Sequence, residues 1–215
     1  MTARPLATSG LDYDPALACR HLAESDPTLA ALISRVGSYG LRPQPTQSLF
    51  AAIARAIVYQ QLSGTAAATI LGRVKAIYAP KRFPTPRDIL ATPPERLRAA
   101  GLSAAKTAAL RDLAERCLDR TVPAMARVRL MSDEEIIERL IGVRGVGRWT
   151  AEMLLIFRLG RADVLPVSDL GIRKGFALTF GSRTLPAAVT IQRRAERWRP
   201  YRSVACWYLW RALDT

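Results

Sequence analysis

The chain has 215 residues, 49% of them hydrophobic, enough to bury a full core as one domain or two small ones. It carries 32 basic and 18 acidic side chains, a formal net charge of +14, with one histidine and three cysteines. A single histidine excludes HExxH, which needs two, and with His21 read as a surface or packing residue no imidazole is left for Ser-His-Asp or Cys-His chemistry. The lack of any CxxC pair argues against thiolate zinc sites and cysteine-held iron–sulfur clusters.

No apolar run approaches the ~18 to 20 residues of a membrane span, and "MTARPLATSG" lacks the apolar stretch of a secretory signal. A soluble, cytoplasmic protein is expected, with Cys19, Cys117 and Cys206 as reduced thiols. The charge is uneven. Residues 1–50 hold four basic and four acidic side chains, 51–130 hold fourteen and five, and 131–215 hold fourteen and nine. Only Lys75, Lys81, Lys106 and Lys174 are lysines, a bias that GC-rich coding explains, but coding does not explain the excess over acid. That excess is the footprint of a polyanion partner.

Helix signals follow one another along the chain. Asp14-Pro15 and Asp26-Pro27 each place an N-cap residue before proline at the first helical position. "RPQPTQ" (42–47) is a proline-marked linker, and "SLFAAIARAIVYQQL" then sets Phe50, Ile53, Ile57 and Val58 at the spacing of a buried helix. Ser63 caps the next helix, "KRFPTPRDIL" and "TPPERLRAA" form short proline-started ones, and Ser103 caps the amphipathic 103–120. Ser103-x-x-Lys106 mimics a penicillin-recognition motif, but no SDN or KTG partner exists, so a helix cap and a solvated lysine are expected. The pair Ser132 and Glu135 makes a capping box before "IIERLI". After a helix ending near Arg158, an extended "RADVLPVSD" leads to three closing helices. The fold class is all-α, with His21 as a surface or packing residue.

Between the last two groups lies "LIGVRGVGRWTAEM", Leu140 to Met153. Gly142 to Gly147 has Walker A spacing, but Arg148 and Trp149 stand where Lys and Ser/Thr must meet phosphate and Mg²⁺, and no strand precedes it. A dinucleotide fingerprint fails on spacing as well. The remaining readings are a helix–hairpin–helix and a glycine C-cap joining two core helices. In the first, Gly145 and Gly147 let the backbone approach a DNA phosphate, with amides at the start of the second helix donating to it. The capping box, the paired glycines and the basic balance favour the hairpin.

"GVRGVGRWTAEM" followed closely by "LPVSDLGIRKGF" resembles the helix–hairpin–helix DNA glycosylases. "IARAIVYQQLSGTAAATILGRV" and "ERWRPYRSVACWYLW" are similar to the central and C-terminal signatures of the 3-methyladenine DNA glycosylase II type, the alkylated-base branch. The likeness runs from about Phe50 to Trp210. It implies a two-lobed fold with a cleft between lobes: residues 1–49 plus 164–215 as one lobe, and 50–163, carrying the hairpin element at 132–158, as the other. It also implies removal of bases such as 3-methyladenine and 7-methylguanine from double-stranded DNA, by a monomer that needs no cofactor.

By this resemblance Asp169 matches the catalytic carboxylate, which stabilises an oxocarbenium-like sugar or orients water. The alternative for Asp169 is a plain N-cap, and the two roles are compatible. Trp149 occupies the place of the Schiff-base lysine of bifunctional members, which implies displacement by water without lyase chemistry. Core packing is the other reading of Trp149. Trp210 matches the tryptophan that lies against a flipped cationic base, while Trp198, Trp207, Tyr201 and Tyr208 are expected in the core. Gln61 aligns with the wedge that fills the gap left by the extruded nucleotide, and a one-residue slip would give Gln60 or Leu62.

The hairpin contacts fall on Arg144, Gly145, Val146, Gly147 and Arg148, and the family's monovalent cation, Na⁺ or K⁺, falls on the carbonyls of Ile141, Val143 and Val146. Arg144 departs from the usual proline, which implies a looser turn. Met153 and Leu170 stand where some members have aromatic pocket residues, and the β-rich N-terminal domain of some members has no counterpart. Two other readings stay open: a non-catalytic damage-sensing DNA binder, and a glycosylase for uncharged deaminated or etheno bases.

Overall fold

Short polar side chains and prolines set where the helices begin. The computed structural model describes residues 10–44, 46 and 48–214, and every regular element among them is helical, as the all-α expectation requires. In chain order these are α1 (Pro15–Ser25), α2 (Pro27–Val36), α3 (Leu49–Tyr59), α4 (Gly64–Ala76), α5 (Pro86–Ala91), α6 (Pro94–Ala99) and α7 (Ala104–Leu118). There follow α8 (Met125–Val128), α9 (Asp133–Ile141), α10 (Arg148–Phe157), α11 (Leu170–Phe180), α12 (Ala188–Ala195), a 3₁₀ turn (Glu196–Trp198) and α13 (Arg202–Arg211). The chain divides into two compact units, Met1–Pro45 with Glu152–Thr215 and Thr46–Ala151, and the boundary falls inside α10. Among the described residues no helix is long and apolar enough to cross a membrane.

In the discontinuous unit, Asp14 caps α1 by accepting the Ala16 N–H at 2.8 Å, and Asp26 caps α2 by accepting the Thr28 N–H at 3.1 Å. Each such cap contributes about 1 kcal/mol. Asp26 has a second task. Its fully buried carboxylate also receives Arg194 Nε at 2.9 Å, Arg194 Nη2 at 2.8 Å and Trp198 Nε1 at 3.0 Å, which ties the α1–α2 junction to α12 and the 3₁₀ turn. α13 is buried on most of its circumference through Ser203, Val204, Ala205, Cys206, Tyr208 and Leu209, as a core helix must be. α11 meets it at Gly175, where a Cβ would overlap the Leu209 carbonyl, so only glycine permits that approach. Trp198 and Tyr208 are core residues, while Tyr201 and Trp207 are half-buried, Trp207 standing edge-on to Tyr39 at 4.9 Å.

In the continuous unit α3 is apolar nearly all round and buries Leu49, Phe50, Ile53, Ile57 and Val58. α7 is the spine against which α3, α5 and α6 pack. Its Arg111 donates to the carbonyls of Ile89, Leu90 and Thr92 at 3.2–3.4 Å, placing positive charge at the C-terminal end of α5, where the helix dipole favours it. The short α8 carries no sequence signal; it is a single turn with no side-chain cap.

Candidate functional site

The site begins with a helix that starts well. Ser132 Oγ accepts the Glu135 N–H at 3.3 Å while Glu135 Oε2 accepts the Ser132 N–H at 2.8 Å, so the capping box of α9 is formed at both bonds. After α9 the Val143 N–H donates to Leu140 O and the Val146 N–H to Val143 O, both at 3.0 Å. The second bond closes a four-residue turn with Gly145 at its third position and φ of +75°, a conformation that favours glycine. A Cβ at Gly145 would meet only Ala109 Cβ at 3.7 Å, so the requirement there is conformational. At Gly147 a Cβ would meet nothing within 4 Å. The Gly147 carbonyl accepts the Ala151 N–H, which makes Gly147 the cap position of α10 and leaves its outer side bare.

Val143 and Val146 are buried and anchor the hairpin, while Ile141, Arg144 and Arg148 are exposed. The looser turn expected from arginine in place of proline meets a compensation. The Arg144 backbone N–H, which proline would lack, donates to Asp112 Oδ2 at 2.7 Å, and Arg116 Nε reaches the same oxygen at 3.0 Å. The Arg148 guanidinium pairs with both carboxylate oxygens of Glu134, each at 2.7 Å. Those bonds hold the Glu134 carboxyl below its usual value against slight desolvation. Of the carbonyls expected to hold a cation, that of Val143 also accepts the Val146 N–H.

Beside the hairpin stands the turn after α3. Gln60 Nε2 donates to the Gly145 carbonyl at 2.9 Å, so Gln60 is not a free tip residue. Gln61 is exposed with φ of +56°, and Leu62 is also exposed. Lys106 Nζ donates to Val58 O and Gln60 O, both at 2.7 Å. The solvated lysine expected there is a correction: Ser103 caps α7 as anticipated, but the Lys106 ammonium is half-buried and engaged, and burial lowers its pKa.

In the other unit Asp169 is the N-cap of α11. Its Oδ1 accepts the Ile172 N–H at 2.8 Å and the Trp210 Nε1–H at 2.9 Å. The approach of indole to carboxylate depends on Gly171, where a Cβ would lie 2.8 Å from Trp210 Cδ1 and 3.0 Å from Asp169 Oδ1. The Phe157 ring lies 5.4 Å from that of Trp210, at 32°. Leu170 is exposed and Met153 half-buried in this unit, whereas Trp149 is exposed in the other. The structure thus brings Asp169 and Trp210 into direct contact, and gathers the hairpin residues with Gln60 and Gln61. Of the residues that assemble this site, the sequence singles out Gln60 only as the alternative to Gln61 as wedge, and it does not single out Lys106, Asp112 or Gly171 as site residues. Of those three only Lys106 carried a signal, its place three residues after a cap serine.

Comparisons with known proteins place the chain among others of similar sequence and fold. Over residues 54–200 the sequence matches the HhH-GPD superfamily base excision DNA repair protein family. It is 37% identical over 196 residues to DNA-3-methyladenine glycosylase 1 of Schizosaccharomyces pombe, covering 89% of this chain and 84% of that one. It is 32% identical over 180 residues to DNA-3-methyladenine glycosylase 2 of Escherichia coli, covering 80% and 60% respectively. The fold is similar to that of the S. pombe 3-methyladenine DNA glycosylase in complex with abasic DNA, at a TM-score of 0.80 and 36% identity over 93% of this chain and 97% of that one. It is also similar to a DNA-3-methyladenine glycosidase of Bacillus halodurans, at 0.85 and 31% over 92% and 89%.

Proposed function

The chain belongs to the HhH-GPD superfamily of base excision DNA repair proteins, and on that premise we propose that it hydrolyses the N-glycosidic bond of alkylated bases in double-stranded DNA, without lyase activity. The observation that carries this reading is the carboxylate of Asp169, aimed by an indole N–H and a helix N-terminus at once. A carboxylate repels DNA phosphates, so to a protein that only bound DNA Asp169 would be worth no more than a helix cap, and a cap has no need of the Trp210 N–H.

Alkylated purines such as 3-methyladenine and 7-methylguanine are cationic and leave readily as neutral bases. The enzyme then has to stabilise the positive charge that develops on the sugar and to admit water. Asp169 supplies the counter-charge, with Oδ1 held by two donors so that the carboxylate needs little reorganisation as charge appears. The Trp210 ring offers an electron-rich face to a cationic base. Trp149 offers no amine, so water takes the sugar and no covalent adduct forms. Met153 and Leu170 give the pocket apolar, non-aromatic lining.

The hairpin holds the duplex. Gly145, Val146 and Gly147 present backbone to a phosphate, Arg144 and Arg148 add positive charge, and Gln61 is the side chain that enters the base stack. A Na⁺ or K⁺ ion on the carbonyls of Ile141, Val143 and Val146 would add charge beside that phosphate. The protein works as a monomer in the cytoplasm, on double-stranded DNA that contains damaged bases.

The test is incubation of methylated duplex DNA with wild type and Asp169→Asn, with released bases identified by chromatography. Release by wild type and none by the variant supports the reading. Release that survives in Asp169→Asn overturns the assignment of Asp169, and no release by folded wild type favours a DNA-binding protein. Borohydride trapping of a covalent adduct would overturn the hydrolytic mechanism.

A further inference from the structure

Two features of the continuous unit are unused by the reaction above: the half-buried Lys106 and the amide of Gln60. Both converge on one turn. α3 ends with the Gln60 N–H on Ala56 O at 3.1 Å, and the next residue, Gln61, turns left-handed with φ of +56°. Such a conformation is uncommon for a residue with a Cβ and persists where its surroundings over-determine it. Here the surroundings are specific. The Lys106 ammonium holds the carbonyls of Val58 and Gln60, the second of which belongs to the peptide unit leading into Gln61. The Gln60 side chain then reaches across to the carbonyl of Gly145, itself the left-handed residue of the hairpin turn.

The geometry points to Gln60 as a positioning residue that couples the exposed Gln61–Leu62 turn to the hairpin, with Lys106 as the clamp behind it. The two surfaces then meet DNA as one pre-organised element. This rests on the reading of the hairpin and turn as the DNA-facing surface. Inserting a side chain where a nucleotide stood costs unstacking, and a turn already held in place loses little further freedom on binding. The strut therefore contributes to the lesion-dependent part of binding. General attraction to phosphates, which depends on charge, is independent of it.

The experiment uses the full chain and the variant Gln60→Leu, which keeps bulk and loses the amide. Without DNA, deuterium uptake should rise in both 59–64 and 143–147. Affinity for an intact duplex should stay within about twofold, and its salt dependence should not change, because no charge is lost. Affinity for a duplex carrying an abasic analogue should fall about three- to tenfold, the range of one lost hydrogen bond. Uptake that changes in only one segment, or equal loss on both DNAs, overturns the coupling. Should Gln60→Leu melt early, Gln60→Asn, whose shorter amide stops short of Gly145, must give the same pattern. Lys106→Met should raise uptake in 59–64, and unchanged uptake there removes the clamp. If wild type releases no base, the proposed reaction fails, while the exchange measurements still decide the coupling.

Discussion

The indole N–H of Trp210 donates to Asp169 Oδ1 at 2.9 Å, across 41 residues of chain, and Gly171 leaves the room that this bond needs. A tryptophan placed only for stacking would not have to present its N–H to a carboxylate. Trp210→Phe separates the two roles, because it keeps an aromatic ring and removes the donor. The rate of base release at saturating DNA should fall about tenfold or more, the worth of a hydrogen bond to a charged group, with little change in KM. Single-turnover kinetics check it. An unchanged kcat with a raised KM would reduce Trp210 to a stacking surface.

The Arg148–Glu134 pair lies on the hairpin element with both side chains more than half exposed, so it contributes at most about 1 kcal/mol to stability. Its interest is for DNA. Glu134→Gln removes a negative charge beside the proposed phosphate site and leaves Arg148 without that counter-charge. Duplex binding should tighten several-fold, and the slope of log affinity against log salt should steepen by about one. Fluorescence anisotropy from low to moderate salt measures both. An unchanged slope would place Arg148 away from the phosphates.

Much of this was legible in the sequence because the signals were local. The caps at Asp14, Asp26, Ser63, Ser103 and Ser132 each involve a side chain and an amide two or three residues away. The tight glycine turn was readable for the same reason, a property of a few consecutive residues, although Gly145 was read for backbone approach and the structure requires it for its left-handed φ of +75°. What escaped were contacts between distant segments: Gln60 and Gly145 are 85 residues apart, and Arg144 and Asp112 are 32 apart. The charge reading was also coarser than it looked. Arg111 caps α5, Arg194 serves Asp26, and Arg199 and Arg202 both hold Asp163, so part of the basic excess is structural.

Acid should weaken the discontinuous unit through Asp26. Burial alone would raise its pKa, but the bonds from Arg194 and Trp198 outweigh it and hold the carboxyl below its usual value. A group whose folded pKa is depressed stabilises the fold above its unfolded value, about 3.9, and loses that contribution as pH falls through the folded value. Asp26→Asn should cost about 3 kcal/mol near neutral pH, as expected for a broken buried pair. The gap to wild type in urea midpoint should narrow between about pH 4 and the folded value. A gap that is constant with pH would mean that the loss is packing and not charge.

The three thiols should be inert in the folded protein. Burial pushes Cys117 up to about 11 and raises Cys19 and Cys206 as well, Cys206 being fully buried. Since the thiolate is the reactive form, a disulfide reagent at pH 8 should label wild type slowly and completely only after denaturation. Rapid labelling of one thiol in the native protein would show that its surroundings open readily.

Gly171 and Gly175 lie one turn apart on α11, yet alanine should fail at each for a different reason. At Gly175 the new methyl meets the Leu209 backbone carbonyl, which cannot move without displacing α13 from the core. Gly175→Ala should therefore lower stability by about 3 kcal/mol or more, at the upper end of overpacking costs, and reduce activity only through the unfolded fraction. At Gly171 the methyl meets the Trp210 indole and the Asp169 carboxylate, side chains that can separate without moving the backbone. Gly171→Ala should keep most of its stability, losing about 1 kcal/mol or less, while base release falls by at least as much as in Trp210→Phe. Denaturant titration and single-turnover release on the two variants give four numbers. If the losses track stability in both, Gly171 is a packing residue like Gly175, and the pairing of Trp210 with Asp169 has no catalytic part.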